Sequence, residues 1–129
     1  MLVVIDTNVL VSALYSRDSS PARVIALVQN GVAIPCHDHR ILLEYREVLA
    51  RPKFNFSAWE VADLLAQIES DGLSVSPCPL NIDLPDEQDR KFYEVAKHCN
   101  ARLITGNLKH FSKDKTVVSV KEFLEACRT

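Results

Sequence analysis

Apolar residues along the chain fall into two rhythms, short unbroken runs and helical stripes, and the two alternate. Leu2 to Ile5 is a continuous, branched apolar run that predicts a buried strand. Val9, Leu10, Ala13 and Leu14 then recur as on one helix face. Ser19-Ser20-Pro21 breaks and restarts the pattern, with Pro21 suited to an early helical position. Val24, Leu27 and Val28 repeat at helical spacing until Gly31, and Val32 to Cys36 predicts a second strand.

A helix is expected from about Asp38 to Ala50, with Ile41, Leu42, Tyr45, Val48 and Leu49 inward and Pro52 ending it. Ser57 has the look of an N-cap, and Glu60 stands three residues on, in capping-box position. Val61, Leu64, Leu65 and Ile68 form the next buried stripe, closed by Gly72. Leu73 to Ser76 is a weaker strand, and the proline-bearing stretch 77–85 reads as a loop. A helix over Asp86 to Cys99, a strand at Arg102 to Thr105, a polar and basic loop to Lys115, a strand at Thr116 to Ser119 and a terminal helix with Val120, Phe123, Leu124 and Cys127 inward complete the reading. Strand and helix in alternation argue for an α/β fold, a mostly parallel five-stranded sheet with helices on both faces.

Composition narrows the class without naming a function. With 129 residues, 47% of them hydrophobic and 25% charged, residues 1–129 are expected to form one soluble domain. The net charge of −2 supplies no global basic field for nucleic acid, leaving only room for a local cationic rim. Cys36, Cys78, Cys99 and Cys127 form no C-x-x-C, so reduced, buried thiols in a cytoplasmic protein are expected. No apolar run approaches the roughly 20 residues of a membrane span.

The candidate chemistry lies at the edges of these elements. Ligands of an open parallel sheet bind beyond the carboxyl ends of its strands. Asp6 directly follows the first strand, and Asn107 lies just past the fourth. Glu44 borders the inward stripe of its helix, and Asp89 falls at the inner top of a later one, with Asp86 and Glu87 further round toward solvent. Gathered together, such oxygen donors need a cation to offset their mutual repulsion. Mg²⁺ or Mn²⁺ suits carboxylate and carbonyl oxygens. Taken singly, each residue also has a plainer use: Asp6 as a helix cap, Glu44 as a partner of Arg40, Asp86, Glu87 and Asp89 as complements to a helix dipole, Asn107 as a turn residue.

Across essentially its whole length the chain resembles the PIN domains, small Rossmann-like α/β/α metal-dependent ribonucleases. The segments that carry the likeness are VIDTNVLVSA, LLEYREVL, DEQDRKF and LITGNLKHF. The likeness is greatest to the toxin components of bacterial toxin–antitoxin pairs, the VapC-type toxins. It implies that Asp6, Glu44 and Asp89 are the catalytic acids and metal ligands, supported by Thr105 and Asn107. Many members carry Asp where this chain has Asn107, so a second metal is expected to bind less well, with Asp86 the candidate source of the missing charge. Asn8 would organise the loop around Asp6 and Ser12 would face substrate or a ligand water. Arg40, Arg90, Lys109, His110, Lys113 and Lys115, with Thr105 grouped at the same edge, are expected to meet RNA phosphates.

The resemblance thus implies an Mg²⁺- or Mn²⁺-dependent endoribonuclease that leaves 5′-phosphate and 3′-hydroxyl ends, is restrained by a cognate antitoxin and forms a homodimer. Trp59, on the outer side of its helix, is a candidate anchor for the dimer. A second reading is a degenerate module that binds RNA or protein without cutting, favoured by Asn107 and the acidic balance. A third, phosphotransfer with Asp6 as acceptor, is weakened because Asn8 replaces the second Asp such enzymes place two residues on.

Overall fold

The structure, a computed structural model, describes residues 1–108 and 114–128. Five parallel strands stand in the order β3-β2-β1-β4-β5. They are β1 (Leu2–Ile5), β2 (Ile34–His37), β3 (Leu73–Ser74), β4 (Arg102–Ile104) and β5 (Val117–Val118). The helices are α1 (Thr7–Tyr15), α2 (Ser20–Gln29), α3 (His39–Leu49), α4 (Ala58–Asp71), α5 (Arg90–Cys99) and α6 (Val120–Ala126). The chain steps from β1 outward to β3, then crosses back over β1 to reach β4. Right-handed crossovers therefore put α1–α4 on one face and α5 on the other. α5 indeed packs on β1, β2 and β4.

The apolar runs became strands because both faces are covered: Val3, Val4, Ile5, Leu103 and Ile104 are all completely buried. The expected stripes also point inward, through Val9, Leu10 and Ala13 in α1, Ile41, Tyr45 and Leu49 in α3, and Leu64, Leu65 and Ile68 in α4.

Several boundaries differ from expectation for local reasons. Gly31 has φ +77, and the amides of Val32 and Ala33 both turn back to the Leu27 carbonyl, so β2 starts only at Ile34. Pro35 is tolerated inside the sheet because β3 begins to pair only at Cys36, past the position where the missing N–H would have pointed. The helix expected from Asp86 starts as a 3₁₀ turn, Glu87–Asp89, with Asp86 accepting from the Gln88 amide; α5 begins at Arg90. Ser57 does cap α4, but the Glu60 carboxylate pairs with Arg17 and closes no box. The complete capping box lies instead at Ser119 and Glu122, which exchange bonds of 3.0 Å at the start of α6.

The long segment between β3 and α5 is fastened by charge. Asp38 caps α3 by accepting from the Ile41 amide at 3.0 Å, and its other oxygen takes two bonds from Arg40. Arg40 also reaches Glu94 on α5 at 2.8 Å, and Glu94 accepts from the Leu80 amide at 2.8 Å. Arg90 donates to the Leu80 and Ile82 carbonyls and pairs with Glu87. This network supplies the loop with the partners that its backbone lacks in the absence of a sheet ladder.

Of the thiols, Cys36 is buried and Cys78 exposed, which departs from the expectation that all would be inside. Burial, with Cys99 adjoining, pushes the Cys36 thiol up to about 12. Among the described residues no helix is long and apolar enough to cross a membrane.

Candidate functional site

The strand order reverses between β1 and β4, and the site is built on that line at the carboxyl edge. Asp6 leaves β1 and occupies the N-cap position of α1, yet its side chain makes no capping bond. Its carboxylate instead accepts a 2.6 Å hydrogen bond from the Thr105 hydroxyl, just past β4. Both residues are buried, Thr105 completely. The Thr105 oxygen also accepts from the Asn107 amide at 3.0 Å, and the Asn8 side chain accepts from the Gly106 amide at 3.3 Å. The β4 exit loop is thereby tied to both sides of Asp6.

Glu44 arrives from α3 by a second pair of ties. The Tyr45 hydroxyl, fully buried, donates to the Ile5 carbonyl, and the Thr7 hydroxyl donates to Glu44. Residues on either side of Asp6 are thus linked to Glu44 and its neighbour. Asp89 enters from the 3₁₀ turn before α5 and is 8% exposed.

The electrostatics record their proximity. Burial raises the Asp6 carboxyl from 3.8 to about 6; the Thr105 bond opposes this, while the charges of Asp89 and Glu44 add to it. Glu44 and Asp89 thus lie close enough for their charges to bear on Asp6. They do not form a ready-made cage: among the described residues no three His, Cys, Asp or Glu side chains converge as a metal-binding group. Both Glu44 oxygens are engaged, one by the Thr7 hydroxyl and the other by Lys91 at 2.7 Å.

The remaining expected residues divide. The Asn8 side chain, on α1, accepts from the Gly106 amide in the exit loop. Thr105, grouped with substrate-facing residues, is completely buried and acts on Asp6 instead. Arg40 pairs with Asp38 and Glu94 instead of Glu44, and Arg90 with Glu87 and two loop carbonyls, so both are engaged in the loop network. Asp86 is exposed and occupied as a cap. Ser12 is exposed on α1 and Asn107 half-buried. Lys109, His110 and Lys113 lie outside the described residues; Lys115 is exposed.

Two site residues escaped the sequence reading. Thr7 follows Asp6 directly, and that adjacency was its only signal. Lys91 stands two residues after Asp89 at the start of α5, a spacing that along the chain gave no sign of a partner on α3. Beside them runs a groove of about 660 Å³, lined by His39, Arg40, Leu43, Glu44, Glu47, Val48, Arg51, Gln88 and Lys91. His39 and Arg51 are exposed cationic or titratable groups on its wall.

An open parallel α/β sheet with buried acids at its switch point defines a class of small Rossmann-like proteins with an oxygen-rich site. The PIN domain family model matches residues 2–109, and the chain belongs to that family. Among solved structures, it is similar to a chain in the crystal structure of VapBC2 from Rickettsia felis bound to a DNA fragment from their promoter. The identity is 18%, the coverage 92% of this chain and 97% of that one, and the TM-score 0.56, a likeness of fold. No curated protein matches.

Proposed function

We propose that this PIN domain is a divalent-metal-dependent endoribonuclease and the toxin half of a toxin–antitoxin pair. The observation that carries the reading is Asp6: a buried carboxylate, oriented by Thr105 and pressed by two further acids, at the one edge of the sheet where ligands gather. The donor set fits a hard cation, because Asp6 and Asp89 offer oxygens only and their mutual repulsion falls when a positive ion lies between them. Asp6 and Asp89 would hold it, with the neutral Asn107 carbonyl at the rim. Mg²⁺ or Mn²⁺ bound there supplies Lewis-acid polarisation of a phosphodiester and activation of water.

The chain's own residues prepare that chemistry. Thr105 fixes the Asp6 carboxylate in one orientation, and Asn8 holds the neighbouring loop. Arg51 lines the groove beside Glu44, with Glu47 at 3.9 Å, and offers positive charge to an RNA backbone. An antitoxin partner is supported by the shared fold with the VapBC2 chain. Trp59, 81% exposed on α4, is the natural anchor for a homodimer.

The test is cleavage of end-labelled RNA with added Mg²⁺ or Mn²⁺. Activity that disappears with chelator and in Asp6→Asn supports the reading; activity indifferent to both removes it. The runner-up, a non-cutting binding module, draws on the engagement of both Glu44 oxygens. RNA retention without cleavage at millimolar metal would select it.

A further inference from the structure

We propose that Lys91 acts as a built-in counter-charge to Glu44, restricting the acidic site to a single divalent ion. The inference rests on the metal-dependent reading above and deepens it. Lys91 Nζ lies 2.7 Å from Glu44 Oε1 and 2.6 Å from the Gln88 carbonyl oxygen. Its charge also stands 5.2 Å from the centre of the Phe92 ring. The Lys91 side chain is only 12% exposed and that of Glu44 20%, so water and salt screen the pair far less than an ordinary surface bridge.

A carboxylate and a backbone carbonyl around a small positive charge are the ligands a hard divalent ion also takes. Here an ammonium occupies that place, supplied by the chain itself. Thr7 holds the opposite Glu44 oxygen, so the carboxylate cannot swing toward Asp6 without breaking two bonds. Lys91 therefore acts through Glu44 as a positioning residue. It offsets negative charge at Glu44 but offers no open coordination position.

The experiment is Mn²⁺ titration by calorimetry, with bound Mn²⁺ counted by electron paramagnetic resonance, on the full chain and on Lys91→Gln. Lys91→Met, whose apolar stem still packs on Phe92, serves as the second variant should the first fail to fold. The wild type is expected to bind one ion. Either variant is expected to bind a second, or to bind the first at least tenfold more tightly, and Glu44→Gln added to the variant is expected to abolish the gain. Two ions on the wild type, or a folded variant with unchanged number and affinity within tenfold, overturns the role of Lys91 while leaving the metal reading intact. No binding by any form overturns the metal reading and Lys91's role with it.

Discussion

The Thr105 hydroxyl donates to Asp6 across the line where β4 meets β1, at 2.6 Å, although 99 residues separate the two in sequence. One bond thus joins the ends of two strands and aims the acid on which the site is centred. Replacing Thr105 by Val keeps the shape and removes the donor. RNA cleavage is expected to fall about 10-fold or more, as when the partner of a metal-site ligand is lost. Thr105→Ser, which keeps the hydroxyl, is expected to retain most activity, and equal loss in both variants would show that packing and not the bond matters.

Asp6 is expected to weaken the metal-free fold. Its folded carboxyl titrates at about 6, above 3.8, so the native state holds the proton more tightly than the unfolded chain. The associated stability is complete below about pH 4 and is lost as pH rises through 6, on the order of 2–3 kcal/mol. In chelator, denaturant titrations of the wild type should show that decline, and Asp6→Asn should lack it and be the more stable protein at pH 7.5. Added Mn²⁺ is expected to stabilise the wild type and leave Asp6→Asn unmoved.

Arg40 tests structure against substrate binding. Its removal in Arg40→Met strands the carboxylates of Asp38 and Glu94, whose side chains are 9% and 4% exposed. A loss of about 2 kcal/mol is expected, below the full cost of breaking a buried pair because Arg40 itself is half exposed. Cleavage per folded molecule, measured well below the melting temperature, is expected to stay within about twofold. A large loss of cleavage at unchanged stability would return Arg40 to the RNA surface.

Gly72 ends α4 against the backbone of β2. A methyl group there would lie 2.3 Å from both the Ile68 and Pro35 carbonyl oxygens, and neither backbone can retreat. Its φ of −84 suits any residue, so the demand is for space alone. Gly72→Ala is expected to cost about 2 kcal/mol in chemical denaturation, within the usual range for overpacking.

Much of this was legible in the chain because it is local. A branched apolar run such as Leu2–Ile5 dictates a doubly covered strand wherever it stands. Asp6 was legible as an edge residue for the same reason, since it follows such a run directly, whereas Thr105 entered only through the family resemblance. The period of Ile41, Tyr45 and Leu49 likewise oriented α3 and brought Glu44 to the border of the core.

What the sequence could not fix was partner choice among like-charged side chains. Arg40 lies four residues from Glu44 yet bonds Glu94, 54 positions away, because the crossover to β4 lays α5 beside the start of α3. Lys91, near the start of α5, falls to Glu44 on α3 because the fold lays these two helices side by side. Local periodicity determined which residues face inward and which strands end in acids. Only the tertiary fold decided which charge meets which, since an ion pair depends on a few ångströms between elements that no spacing along the chain encodes.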